Sequence, residues 1–258
     1  MALSTLVARK ISSVLKKAIR EKIANYNPET DYKPFHHRLL GRDRYAMFSF
    51  IHSMNTSFGT SVWEPVAVVL AENAGYQAEN SHKLLGEIDN DTEMRITEII
   101  YGLQKAERDA NKNEEVEEIR RGIKKGKPLK HPNSNVDLYV KVGELECFFD
   151  IKTVKPNAEG FEVLKKKLLR WVALKLSQDR TAKVFTGLAL PYNPYHPKPY
   201  KRWTLKGLYD LDNREVLVGE EFWNYVGGGN VYEDLLDVFQ ETGEELKPEL
   251  DKKFAEFK

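Results

Sequence analysis

The stretch VDLYVKVGELECFFDIKTVKPN, residues 136–157, decides the fold, because it contains two short apolar runs joined by the turn sequence KVGE. Successive side chains of a β-strand point to opposite faces. One face of ELECFFDIK is therefore purely apolar, while the other carries Asp150 and Lys152. Charged groups inside a buried sheet are costly unless something compensates them, so this pair requires a chemical explanation.

A hairpin built from these two runs brings Asp137, near the start of the first strand, close to Asp150 at the end of the second. Carboxylate oxygens are hard ligands that suit Mg²⁺. A lysine beside them can position an attacking water or stabilise charge on phosphorus. The same three residues are also consistent with a structural ion pair between Lys152 and either aspartate, and the pattern leaves both interpretations open.

The fold class follows from the segments after Asn157. Apolar residues recur there at helical spacing over about 15 residues, and AKVFTGLAL (182–190) then has the character of a buried strand. A strand, a helix and a second strand predict a parallel pair in a mixed sheet. EVLVG (215–219) is expected to add an edge strand. We predict an α/β fold, a mixed sheet flanked by helices, in one domain over residues 1–258.

Within that domain we expect a helical N-terminal part over residues 1–60, a catalytic core over 61–226 and C-terminal helices over 227–258. Leu, Val and Ile recur at helical spacing between residues 3 and 24, which predicts an amphipathic helix rather than a targeting peptide.

The composition excludes several classes of protein. A run of about 18 apolar residues, as a membrane span requires, does not occur. The single cysteine, Cys147, rules out an internal disulfide framework and makes the cytoplasm the expected compartment. Residues 161–206 hold 11 Lys and Arg against 2 Asp and Glu, whereas residues 207–258 hold 5 against 14. Such asymmetry fits a basic surface that meets a polyanion, or helix faces that simply face water.

Asp137, twelve intervening residues and Asp150-Ile151-Lys152 resemble the signature of PD-(D/E)XK nucleases, with Val136 where the signature has proline. Residues 35–67, 192–208 and 220–229, together with the hairpin, resemble type II restriction endonucleases of the TdeIII-like group. The resemblance implies a restriction-endonuclease-like fold, in which a mixed sheet is flanked by helices. It also implies Mg²⁺-dependent cleavage of double-stranded DNA, with 5′-phosphate and 3′-hydroxyl products.

The same resemblance implies a homodimer that cuts at a short symmetric site, GC-rich and interrupted, and a companion DNA methyltransferase that protects host DNA. It also implies that Asp137 and Asp150 hold the metal and that Lys152 orients or activates the attacking water. Glu64, at the start of a helix that precedes the sheet, matches a third acid of the site. An acid at a helix N-terminus is also favoured for structural reasons alone.

Basic and rigid segments are the candidates for DNA contact, because phosphate contacts position a protein and base-edge contacts read sequence. The basic run from Arg120 to Lys130 precedes the hairpin, and Lys165–Lys167 lie in the helix after it. The residues of both sets are either phosphate ligands or solvated. The proline-rich loop 191–203 and the segment HHRLLGRDR (36–44) are candidates for base reading. The DNA-binding candidates are Arg38, Arg42, Arg44, Lys127, Lys130, Lys155, Asn193, Lys198, Lys201 and Arg202.

Two other functions fit the residues. A repair or junction-resolving nuclease would use the same chemistry on another DNA substrate. A DNA-binding protein with a degenerate nuclease fold would keep Asp150 and Lys152 only as an ion pair.

Overall fold

The computed structural model describes residues 3–28, 32–123, 128–129, 134–152, 158–200, 205 and 207–257. The chain divides into two compact units. The first unit joins residues 1–69 to residues 230–258, and the second unit comprises residues 70–229. The sequence-based division of one domain at residues 60 and 226 stays a prediction.

The first unit is helical. Its elements are α1 (Thr5–Asn25), α2 (Pro34–Leu40), α3 (Arg42–Phe58), a π-helical turn (Gly59–Trp63), the first part of α4 (Glu64–Asn73) and the last helix of the chain, α9 (Tyr232–Ala255). The amphipathic pattern predicted α1 correctly, and its buried residues are Val7, Ile11 and Leu15. Helix α1 packs against α9, and the ion pairs Lys16–Glu245 and Arg20–Glu249 join the two helices.

The second unit is a mixed sheet flanked by helices. Its strands lie in the order β1-β4-β5-β6-β7, beside a two-stranded sheet of β2 and β3. The strands are β1 (Gln77–Leu84), β2 (Ile88–Asp89), β3 (Pro128–Leu129), β4 (Ser134–Val142), β5 (Leu145–Ile151), β6 (Lys183–Leu190) and β7 (Val216–Val218). Its helices are the rest of α4, α5 (Asn90–Gln104), α6 (Lys112–Gly122), α7 (Ala158–Gln178) and α8 (Glu220–Val226).

The pairing of the strands confirms the predicted α/β topology. Strands β4 and β5 form the antiparallel hairpin, with Gly143 and Glu144 in its turn. Helix α7 then crosses over, so that β6 pairs parallel to β5. Strand β7 pairs parallel to β6 at the edge of the sheet, as EVLVG predicted.

Both faces of β5 are covered, which explains why this strand is almost entirely apolar. Helix α7 packs over β5 and β6 and buries its apolar side, including Phe161, Leu168 and Val172. The ring of Phe149 lies on the other face and packs against the rings of Phe222 and Tyr225. Any charged side chain on the α7 face of this strand must therefore find its partner inside the protein.

Gly86, between β1 and β2, permits a close approach to α7. Its φ angle is +134°, and a Cβ atom there would lie 2.4 Å from the carbonyl oxygen of Leu174 and 2.8 Å from Ser177 Oγ. We expect Gly86→Ala to lower the free energy of unfolding by about 2 kcal/mol, measured by urea denaturation. Gly243→Ala is the control, because open space surrounds that helical position. Alanine there should raise the free energy of unfolding by at most about 1 kcal/mol. Equal stabilities of the two variants would contradict the proposed packing.

Across the described ranges, every helix is too short or too polar to cross a lipid bilayer.

Candidate active site

The β4–β5 hairpin brings three of the expected site residues together. The backbone N–H of Ile151 donates a hydrogen bond to Asp137 Oδ2 over 2.8 Å. The ammonium of Lys152 lies 3.3 Å from the same oxygen and 2.6 Å from Asp150 Oδ1. The backbone N–H of Lys152 donates to the carbonyl of Ala189 in β6, which fixes this lysine at the end of the sheet. Two carboxylates and an ammonium group therefore meet where β5 ends.

Burial increases across the site from Lys152 to Asp150. The side chain of Lys152 is 38% exposed and that of Asp137 is 21% exposed, whereas that of Asp150 is fully buried. Burial raises the pKa of Asp137, and the negative charge of Asp150 raises it further. Burial opposes the charge of Lys152, but the attraction of both aspartates outweighs it and raises the pKa of this lysine. The electrostatic balance thus keeps Lys152 cationic beside two closely spaced carboxyl groups.

A second lysine, Lys167 of α7, contacts Asp150 and was not assigned to the site from the sequence. Its ammonium bonds to Asp150 Oδ2 and lies 4.7 Å from the centre of the Trp171 ring. The ammonium of Lys152 forms an ion pair with the other oxygen, Asp150 Oδ1, over 2.6 Å. Each oxygen of Asp150 therefore faces an ammonium group.

A buried charge network, formed by Lys112, Glu115, Lys165, Thr186 and Glu215, lies in the same unit. Lys165 is fully buried, and its ammonium lies 2.6 Å from Glu115 and 2.7 Å from Glu215. Lys112 donates to Thr186 Oγ1 over 2.5 Å and to Glu215 over 3.0 Å. Burial opposes the charge of Glu215, but the two ammonium groups outweigh it and lower its pKa. Lys165 is thus neither a phosphate ligand nor solvated.

The donor set at the end of β5 fits a divalent ion that keeps part of its hydration shell. Within the described residues, no group of three or more His, Cys, Asp or Glu side chains could hold a metal. The carboxylates of Asp137 and Asp150 are nevertheless the hard oxygen donors that Mg²⁺ prefers. Mg²⁺ commonly binds one or two protein carboxylates and completes its shell with waters and substrate phosphate oxygens.

Glu64, the expected third acid, is the first residue of α4 and belongs to the first unit. It is 4% exposed. Acids at this position also stabilise a helix through its dipole, so its role as a metal ligand stays a prediction.

Some of the expected DNA-binding residues lie on the described surface. Arg38, Arg42 and Arg44 are exposed on α2 and α3, and Lys198 is exposed in the loop after β6. The amide of Asn193 is used within that loop, because it donates to the carbonyl of Lys198 over 2.8 Å and accepts from a backbone N–H over 3.0 Å. Their contacts with DNA stay predictions. Outside the described residues lie Lys127, Lys130, Lys155, Lys201 and Arg202.

Comparisons with known proteins agree on one family. The family model of type II restriction endonuclease HinfI matches residues 3–243. Type II restriction enzyme HgiCII of Herpetosiphon aurantiacus is 27% identical over 240 residues, which are 90% of this chain and 85% of that protein. HgiEI of the same organism is 24% identical over 265 residues, 98% of this chain and 95% of the relative. MjaII of Methanocaldococcus jannaschii is 27% identical over 220 residues, 81% of this chain and 57% of the relative. The chain belongs to the HinfI family of type II restriction endonucleases.

Proposed function

We propose that this chain is a PD-(D/E)XK nuclease that hydrolyses double-stranded DNA with Mg²⁺ and leaves 5′-phosphate and 3′-hydroxyl ends. Its family makes it a site-specific deoxyribonuclease. One observation carries the finer proposal: Asp137, Asp150 and Lys152 converge at the end of β5, where Lys152 and Asp137 are partly exposed and Asp150 is fully buried. A DNA phosphate can reach the open side of such a site.

Each residue of the cluster has a different role in the proposed reaction. Asp137 and Asp150 would hold Mg²⁺, which as a Lewis acid stabilises the charge that develops on the scissile phosphate. Lys152 keeps its proton beside the two carboxylates and can donate a hydrogen bond that orients the attacking water. The second lysine, Lys167, adds positive charge on the side of α7. An approach lined with ammonium groups favours a polyanionic substrate.

The alternative of a purely structural ion pair fits these contacts less well. One lysine would suffice to neutralise a single buried aspartate, and apolar residues often replace a buried ion pair without loss of stability. Asp150 instead has two lysines beside it and a second carboxylate close by. Unlike the buried network of Lys112, Glu115, Lys165 and Glu215, this cluster is partly exposed, so a ligand can reach it.

The narrower proposals rest on resemblance. A homodimer would present two such sites to the two strands of a symmetric recognition sequence, which the TdeIII-like resemblance suggests to be GC-rich and interrupted. Glu64 would be the third acid, and a companion methyltransferase would protect host DNA.

Plasmid cleavage tests the proposal. Purified protein with Mg²⁺ is expected to cut a sequenced plasmid into discrete fragments, because a site-specific enzyme cuts at few positions. Excess EDTA should lower the cleavage rate by at least about 10³-fold, since removal of the metal forfeits several kcal/mol of transition-state stabilisation. Added Mg²⁺ should restore it. Ligation of the fragments without further treatment checks for 5′-phosphate and 3′-hydroxyl ends.

Three outcomes would contradict this function. Unchanged cleavage in EDTA would remove the metal from the mechanism. Nicking confined to branched DNA would favour a junction-resolving nuclease. DNA binding without cleavage under any divalent ion would favour the degenerate nuclease fold.

A further inference from the structure

The charges around Asp150 balance without any metal ion. Two carboxylates, Asp137 and Asp150, face two ammonium groups, Lys152 and Lys167. Asp150 is fully buried, and one lysine lies at each of its oxygens. Because Asp150 is buried with an ammonium group at each oxygen, a divalent ion that binds it directly competes with one of these groups.

We propose that Lys167 is a resident counter-ion of Asp150 that a divalent metal ion displaces when it binds. The inference rests on the proposed function, because it takes Asp150 as a metal ligand. It adds to the site a counter-ion that neither the nuclease signature nor the family resemblance assigns.

The contacts of the two lysines show which one a metal ion can displace from Asp150. Lys152 bonds to both aspartates, and its backbone N–H is held by Ala189 in β6. Lys167 makes its only carboxylate contact in the described residues with Asp150 and is 34% exposed. Its ammonium also lies over the face of Trp171, where a cation is attracted by the ring. Lys167 can therefore leave Asp150 for the ring and the solvent, whereas Lys152 would lose two charged partners.

Displacement has a measurable cost, because the metal must compete with a positive charge already in place. Removing that charge leaves a site with a net charge of −1, which attracts a divalent ion more strongly. At separations of a few ångströms near a protein surface, one unit charge changes the affinity for a divalent ion by about tenfold or more. If Lys167 instead only held Asp150 in position, its removal would weaken metal binding.

The test compares Lys167→Met with Lys166→Met in the absence of DNA. Methionine keeps an unbranched apolar stem over Trp171 but removes the charge. Lys166 is the matched control, since it is the adjacent residue of α7, is 31% exposed and pairs with Glu93. We expect isothermal titration with Mn²⁺ to show about tenfold tighter binding in Lys167→Met. Binding by Lys166→Met should equal that of the wild type.

Thermal denaturation provides a second readout that needs no catalysis. Without metal, Lys167→Met should melt at a lower temperature than the wild type, because Asp150 has lost one partner. Saturating Mn²⁺ should then raise its Tm by more than it raises the wild-type Tm, since a ligand stabilises the folded state according to its affinity.

The results also separate this inference from the proposed function. Asp150→Asn should lose most of the Mn²⁺ binding. If the wild type shows no Mn²⁺ binding that depends on Asp150, both the metal site and the displacement are wrong. If it binds through Asp150 but Lys167→Met binds equally or more weakly, only the displacement is wrong. A gain of equal size in Lys166→Met would also overturn it, because the effect would then reflect the general charge of the helix.

Discussion

Asp150→Asn is expected to lower the rate of DNA cleavage by about 10³-fold or more while DNA binding is retained. Asparagine has the same shape as aspartate but a neutral amide, which binds a hard cation more weakly than a carboxylate does. The loss of metal-supported charge stabilisation amounts to roughly 4 kcal/mol at the transition state, and each 1.36 kcal/mol changes the rate tenfold. Single-turnover cleavage of a labelled duplex measures the rate, and fluorescence anisotropy in Ca²⁺-free buffer measures the binding.

The control for this experiment is Asp212→Asn, which removes the same charge from an exposed residue of the same unit. It should cleave like the wild type. Circular dichroism of both variants at the assay temperature establishes that they are folded. Cleavage within about tenfold of the wild type by a folded Asp150→Asn variant would remove this carboxylate from the chemistry.

The hairpin and the crossover were predictable because most of their residues follow the periods of two and 3.6. On β5, one face is purely apolar and the other carries Asp150 together with Glu146 and Phe148, so the pattern predicted both the strand and the face of Asp150. The crossover helix showed an apolar stripe from Phe161 onward, and it is longer than predicted, at 21 residues. The sheet order at β5, β6 and β7 followed from these elements.

Strand β1 was not predicted, because its sequence QAENSHKL carries no apolar alternation. It lies at one edge of the sheet and pairs antiparallel with β4, and most of its side chains are exposed or half-buried. Cross-strand contacts hold it in place, including the ring of His82 stacked on Tyr139 at 4.6 Å. A polar edge strand is stabilised mainly by pairing with the neighbouring strand. The residue pattern of the segment alone does not show that pairing.

The partner of Asp150 on α7 was missed for a geometric reason. Consecutive residues of an α-helix are separated by about 100° around its axis. In the run Lys165-Lys166-Lys167 the first side chain therefore enters the core, the second meets Glu93 and the third meets Asp150. Three consecutive lysines therefore have three different environments. Only the packing of α7 on the sheet shows which lysine is buried and which lysine contacts Asp150.

Lys165→Met is expected to lower the free energy of unfolding by about 3–5 kcal/mol, because it removes one partner from a fully buried ion network. Lys165 contacts both Glu115 and Glu215 with its side chain at 0% exposure. Its loss leaves two buried carboxylates to share Lys112. Urea denaturation followed by circular dichroism measures the change, and Lys166→Met at the surface should differ from the wild type by at most about 0.5 kcal/mol.

A double-mutant cycle distinguishes lost charge compensation from lost packing. Glu115 bonds to Lys165, and its Oε1 has no hydrogen-bond partner among the described residues, so Glu115→Gln removes the carboxylate that Lys165→Met leaves uncompensated. The double variant should therefore be more stable than the sum of the two single changes predicts, by about 1 kcal/mol or more. Additive losses would show that Lys165 contributes through packing alone. A positive coupling energy would show that a buried charge pair joins α7 to α6, and so helps to fix the rotation of the helix that presents Lys167 to Asp150.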